Sequence, residues 1–377
     1  MTIQCNYKTN QTNMRRPGFT LIELLVVISI MAALTALMIP RLRAVNQDRG
    51  IREAARVVGS KFAEASDRAR RDGAAAVTLV RNPNMVDVDG VLFGVSTIFL
   101  SRAVPNFIGD DGTPGTMRSS GTMTVLRIPE PLEFDLATPE ENVVRVGDSV
   151  RISASRPVTS AVAYEIVGFG TNPPPPADFL DLILGDNPAL PDPPSGGSVN
   201  YVIERQPKIL RSSITDLPPG YTVDLRLSGP IEELETMNRS GIGANVRPLF
   251  FEKRKDAVVN DPVLDRAYSR IDVLFDSTGG ISSVRTYVGD WDDGSNDGGV
   301  VNRVITGPLQ LFVSPSDIDA NGGSPLFDET NLWVTINNTS GGVNIGYNTP
   351  PLNAGADLAS QVAVARRDAT TAVSASQ

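Results

Sequence analysis

The sequence predicts an α+β protein. A long N-terminal α-helix, membrane-spanning and then amphipathic, packs on a mostly antiparallel β-sheet head with loop insertions. Three observations carry this. A 21-residue apolar run, Phe19 to Ile39, holds a single formal charge, Glu23. An apolar stripe at helical spacing follows it, from Ile51 to Ala69. Beyond Gly73 the chain breaks into short segments rich in branched residues, separated by Gly, Pro, Asp and Asn, the composition of strands and turns.

As a helix the apolar run would extend about 31 Å, the thickness of a bilayer's hydrocarbon core. A secretory signal peptide has a shorter apolar core and ends in a small-x-small cleavage site, and no clean site of that kind follows this run. An ordinary membrane anchor explains the length but not the acid. A carboxylate within a span costs up to about 2.5–3.5 kcal/mol at the centre and less near the end, so by default it needs a functional partner. Arg15 and Arg16 precede the run, and Arg41, Arg43, Arg49 and Arg52 follow it. Charge counting therefore leaves the orientation open.

The stretch GFTLIELLVVISIMAAL closely resembles the N-terminus of type IV prepilins and of the pseudopilins of type II secretion. The resemblance implies a leader, 1–18, cut by prepilin peptidase after Gly18. It implies N-methylation of the new terminal residue, Phe19. It implies that Glu23 pairs with the N-terminal amine of a neighbouring subunit during assembly. A carboxylate–ammonium contact is favourable relative to a lone carboxylate in an apolar interior. The expected place is the inner membrane, single-pass, with the head in the periplasm. The expected partners are other pseudopilins or pilins, prepilin peptidase, the inner membrane and a secretion or pilus assembly platform.

Residues 19–40 then read as a transmembrane and assembly helix, and a bend is expected at Pro40, which lacks a backbone donor. Residues 41–73 read as an amphipathic helix. Ile51, Ala55, Val58, Phe62, Ala65 and Ala69 alternate at spacings of four and three, forming one face. Arg52, Glu53, Arg56, Lys61, Glu64, Asp67, Arg68 and Arg71 supply mainly polar surface elsewhere, and Gly73 is the expected stop. The segment REAARVVGSKFAEASDRARRDGAAAVTLVR resembles the GspH/FimT-type minor pseudopilins, as does IDVLFDSTGGISSVRTYV, with Phe275, Asp276 and Gly279 near a turn.

Strands are expected at Ala75–Arg81, Val91–Leu100, Thr122–Ile128, Val143–Ile152, Ala161–Phe169, Tyr221–Leu227, Ile271–Phe275, Ser282–Val288, Leu309–Val313 and Leu332–Asn337. They make residues 74–353 one β-rich head. A Pro/Gly-rich insertion is expected around 171–200, where Pro173–Pro176 form a polyproline-type spacer and 185–198 a flexible loop. The alanine-rich, polar end, 354–377, reads as a flexible tail, either a frayed helix or disorder.

Composition narrows the function. The net charge is −9. Without the leader the chain would carry 31 basic and 43 acidic residues, a net −12. Such a balance is a poor general match to nucleic-acid phosphates, and no nucleic acid is expected as a partner. The one cysteine, Cys5, lies in the expected leader, and histidine is absent. This removes disulfides and histidine-based catalysis from the mature chain. No phosphate loop, dinucleotide fingerprint or serine elbow is present, and the chain is not expected to be an enzyme.

No resident cofactor is expected, with one candidate exception. Asp317, Asp319 and Asn321 alternate, Gly322 follows, and Asp328 stands twelfth from Asp317. The pattern resembles the calcium loop D-x-[DN]-x-[DN]-G-x5-E, in which alternate oxygen ligands wrap one ion. It departs in having Asp at the twelfth position, with Glu329 adjacent, and in lacking flanking helices. The competing reading is an acidic turn held by its own hydrogen bonds. A second acidic run, Asp290, Asp292, Asp293, Asn296 and Asp297, has oxygen donors without a recognised spacing and reads as a solvated loop.

Overall fold

The structure is a computed structural model. It describes residues 21–82, 84–85, 93–109, 112–120, 123–129, 142–153, 163–170, 179–185, 197–230, 270–288, 299–316, 325–350, 361–362 and 364–369. The chain divides into two compact units, Met1–Arg49 and Gly50–Gln377. One helix, α1 (Leu21–Asp72), contributes to both.

In the first unit α1 carries apolar side chains all round. Leu21, Ile22, Leu24, Leu25, Ile28, Ile30, Met31 and Leu34 are each more than half exposed. In the second unit the same helix is amphipathic. Ile51, Ala55, Val58, Phe62, Ala65 and Ala69 are all buried, together with Ala54, so the stripe is the face that meets the core. Gly73 ends the helix with a φ of 86°, the left-handed conformation that glycine adopts without a Cβ penalty.

That face packs on a large antiparallel sheet. In spatial order its strands are β14 (Gly299–Arg303), β13 (Ile281–Val288), β12 (Arg270–Phe275), β1 (Ala75–Arg81), β2 (Gly94–Arg102), β11 (Tyr221–Pro230), β15 (Leu309–Pro315), β16 (Leu332–Ile336) and β17 (Val343–Tyr347). Two short strands, β9 (Lys208–Ile209) and β10 (Thr215–Asp216), add to β2. Side chains alternate faces along a strand. Ala75, Val77 and Leu79 of β1, Ile271, Val273 and Phe275 of β12, and Leu309, Leu311 and Val313 of β15 join the helix stripe in one core. Phe62 meets Phe275 edge-on at 6.2 Å between ring centroids. Beside them, the Ser66 hydroxyl donates to the carbonyl of Gly279 at 2.7 Å, tying the helix to the β12–β13 turn. That turn holds Asp276 and Gly279, as the sequence indicated.

Two expectations change. The head is not one core with a loop inserted near 171–200. Between β2 and β9 the chain forms a closed barrel in the order β3 (Gly115–Ser120), β4 (Met123–Pro129), β7 (Phe179–Leu184), β6 (Tyr164–Phe169), β5 (Ser149–Ser153), β8 (Ser198–Glu204), and back to β3. β7 lies inside the segment read as an insertion, and β8 begins at its end. The barrel has its own interior of Met117, Leu126, Ile128, Val150, Ile166, Leu182, Tyr201 and Ile203. β7 (FLDLIL) escapes notice because Asp181 breaks its apolar run; Arg127 of the paired strand β4 grips both Asp181 oxygens at 2.6 Å. The expected strand Val143–Ile152 begins only at Ser149, because Asp148 accepts a hydrogen bond from the Arg145 N–H at 2.8 Å and folds 145–148 into a turn.

The second change is at the C-terminus. Of the two readings open for the end of the chain from 354, a frayed helix or disorder, residues 361–362 and 364–369 are helical, and they are docked rather than loose. Val362, Ala365 and Ala369 pack with Leu227, Phe312 and Trp333, which lie on the sheet face opposite α1. The Arg366 guanidinium, 3% exposed, donates to the carbonyls of Leu227 and Pro230. Those partners make burial of a cation tolerable, and a hydropathy pattern does not show them.

Phe62→Ala removes the largest side chain that α1 places in the core. It should destabilise the head by about 3–5 kcal/mol. Denaturant unfolding of the full-length protein checks this; a loss below about 1 kcal/mol would show that the helix is not seated on the sheet as described.

Candidate assembly helix and the junction of the two cores

The residues expected to carry processing and assembly lie at the N-terminus. Gly18 and Phe19 fall outside the described residues. Glu23 lies on α1, two residues after its first described residue. From 21 to 36 the polar side chains are Glu23, Ser29 and Thr35. The Ser29 hydroxyl donates to the Leu25 carbonyl at 2.8 Å, and that of Thr35 to the Met31 carbonyl at 2.7 Å. Both hydroxyls thus find acceptors one turn back in their own helix, as a polar group in an apolar medium requires. Glu23 is the formal charge of this surface. Among the described residues no helix is long and apolar enough to cross a membrane. The described side chains of the apolar run stop at residue 36, and the ends of the 19–39 run lie outside them.

The cation loop is only partly within view. Asp317, Asp319 and Asn321 lie outside the described residues, as do the acids of the 290–297 run. Asp328 is described. Its Oδ1 accepts from the Thr330 N–H at 2.9 Å and from the Thr330 hydroxyl at 2.7 Å, an Asx turn. Among the described residues no group of three or more acidic side chains is placed to hold a metal.

The most heavily charged interior position is one that sequence reasoning missed. The barrel sits against the sheet face opposite α1, through β12, β13 and the ends of β5 and β8. Arg285 on β13 is 5% exposed. It donates to the carbonyl of Glu204 at 3.1 Å and, through a very short contact, to that of Gly147. On β12, Asp272 stands directly across from Arg285 and accepts from Arg270 at 2.8 Å and Thr78 at 2.5 Å. Arg270 reaches on to the carbonyl of Pro207 at 2.9 Å. From the barrel side, Asp148 is fully buried and accepts from the backbone N–H groups of Gln206 and Arg145, both at 2.8 Å.

Burial raises the Asp148 carboxyl above the ordinary aspartate range, against the pull of Arg285, the Gln206 N–H and Arg145. Burial likewise lowers Arg285, opposed by Asp148 and Asp272. The two groups offset each other's desolvation, and each needs the other. A rough sequence signal existed: Asp148 follows Gly147, whose φ is 84°, in a turn-forming VGD. The partner lay 137 positions away.

Residues 13–39 match the family model of the prokaryotic N-terminal methylation motif. The match supports a type IV pilin- or pseudopilin-like protein. It covers Gly18, Phe19 and Glu23. A motif of this kind goes with processing by prepilin peptidase, with other pilins as partners, and with a membrane-anchored protein whose head is periplasmic or extracellular. The long helix followed by mostly antiparallel strands fits the α+β layout of such a pilin-like protein. No curated protein matches the chain.

Arg285→Met tests the junction. Losing Arg285 takes the donor from two backbone carbonyls and removes a charge that offsets the burial of Asp148, at a cost of about 3–5 kcal/mol. Adding Asp148→Asn in the same chain should recover part of that loss. Strictly additive losses in a double-mutant cycle on unfolding midpoints would show that the two groups are not coupled.

Proposed function

We propose that the chain is a structural subunit, a minor pseudopilin, of a type II secretion pseudopilus. The N-terminal motif match carries this reading, supported by an exposed apolar helix in which Glu23 is the formal charge. Prepilin peptidase cuts after Gly18, Phe19 is methylated, and residues 19–40 hold the subunit in the inner membrane with its head in the periplasm. Glu23 meets the N-terminal ammonium of a neighbouring subunit as the helices pack into a filament. The chain performs no chemistry of its own. The alanine- and arginine-rich end of α1, running into β1, favours the GspH/FimT type. A minor pilin of a type IV pilus or DNA-uptake machine would share the same N-terminus and would differ by co-purifying with those filaments or with DNA.

The separate barrel favours one further reading, a membrane-anchored surface binding protein in which Asp317, Asp319, Asn321 and Asp328 hold calcium. In that case the full-length protein melts at a higher temperature with calcium than with magnesium, and Glu23 is dispensable.

Intact mass of the protein from membranes, with and without the host's prepilin peptidase, tests the processing step. The expected product begins at methylated Phe19 only when the peptidase is present. Gly18→Ala should block most of the cleavage. Glu23→Ala should be cleaved normally but enter filaments poorly; normal incorporation of that variant would refute the pairing role.

A further inference from the structure

Where the barrel joins the sheet there is a cavity of about 260 Å3. Its lining includes Arg102, Pro105, Asn142, Arg145, Arg205 and Lys208, and among the described residues it holds no carboxylate. Four cations thus converge in a protein whose net charge is −9.

Their placement is unfavourable as it stands. Arg102, at the end of β2, lies directly across the strand pair from Lys208 of β9. Like charges facing each other on adjacent strands destabilise the pair. Arg145 adds a second cost. Its Nη2 donates to the Gln206 carbonyl at 3.0 Å, but its buried Nε has no hydrogen-bond partner. A desolvated charged donor without an acceptor is expensive.

Among the described residues the nearby acids are already engaged. Both oxygens of Asp148 accept backbone N–H groups, and its charge acts on Arg285 more strongly than on Arg145. Glu204 is engaged by Arg151 at 2.8 Å and Asn302 at 3.2 Å. Among the described residues no ion pair joins Arg102, Arg145 or Lys208 to a carboxylate. Guanidinium forks are shaped for planar or tetrahedral oxyanions. The volume lies below the roughly 300–1,000 Å3 of pockets for drug-sized ligands, which fits a small ion.

We infer that this cavity binds a small polyvalent oxyanion, either a free phosphate or a compact polycarboxylate. Bound there, the anion separates Arg102 from Lys208 electrostatically and offers an acceptor to Arg145. It also ties the ends of β2 and β9 to the 142–145 segment. Occupancy therefore stabilises the junction of the two cores, because a ligand that binds only the folded state raises its stability by mass action.

The test uses full-length protein in a neutral detergent, titrated with sodium phosphate or with citrate, against sodium chloride at matched ionic strength. Calorimetric binding and the unfolding midpoint are read together. A saturable heat and a rising midpoint with phosphate, citrate or both support the site, and the stronger arm identifies the source. Arg102→Gln with Lys208→Gln should weaken binding by at least about tenfold, since charge-assisted contacts are lost. The same pair should leave the anion-free midpoint unchanged or higher. Lys208→Arg should keep wild-type affinity and reports on the charge if the double variant does not fold. No saturable heat with either anion, an equal midpoint shift with chloride, or wild-type affinity in the double variant would overturn the inference.

Discussion

The alternation of side chains along the central strands is the constraint on which the head depends. β1, β12, β13 and β15 send one set of residues to α1 and the other set to the opposite face. The α1 face is uniformly apolar. It accepts a helix whose contact stripe is mostly alanine, so the helix backbone can lie close to the strands, with Phe62 packed edge-on against Phe275. A one-residue slip in any of these strands would turn apolar side chains outward and bury the polar ones. The register is therefore fixed by the helix as much as by the strand hydrogen bonds.

The second face is divided. Toward β15 and β16 it is apolar, where Phe312 stacks edge-on with Trp333 at 4.7 Å, and the C-terminal helical residues cover it. Toward β12 and β13 it carries Asp272, Arg270 and Arg285, and the barrel sits there. Different chemistry on one sheet face separates the two coverings. Among the described residues the barrel attaches through charge and backbone carbonyls. Such a junction is directional: a buried guanidinium must find its carbonyls and its carboxylate, and a shifted docking would leave those charges bare. The price is a high desolvation cost on Asp148 and Arg285 together.

Much of the helix and of the central sheet was legible in the sequence, because their signals are local. The Ile51–Ala69 stripe, the Gly73 stop, the strand Ala75–Arg81 and the 271–288 hairpin are each written within a few turns or a few alternations. The barrel was not legible. Its closure joins Gly115 of β3 to Val199 of β8, a pairing with no local trace, and β3 itself (GTMRSS) is too polar to announce a strand. Strands β14 and β17 lie at the sheet's edges, where one flank is not paired within it and the hydropathy demand is weaker. The docking of the chain's end was not legible because Arg366, a charge, looks like surface until its hydrogen bonds to the Leu227 and Pro230 carbonyls are seen. For the candidate sites the division is similar. Gly18, Phe19 and Glu23 form a contiguous motif, whereas the cationic cavity gathers Arg102, Arg145, Arg205 and Lys208 from separate stretches.

The two parts of α1 answer different physical problems with one helix. From Gly50 onward a single face is apolar, and the head satisfies it. From Leu21 to Leu34 every face is apolar, and a helix of that kind needs an apolar surround on all sides. Its hydroxyls already bond within the helix, which removes most polar reasons to remain in water. Glu23 is the formal charge of this stretch, and a carboxylate there favours packing that brings a cation to its height. An anchor alone needs no such group. That is the physical ground on which the proposed pairing of Glu23 with a neighbouring subunit rests.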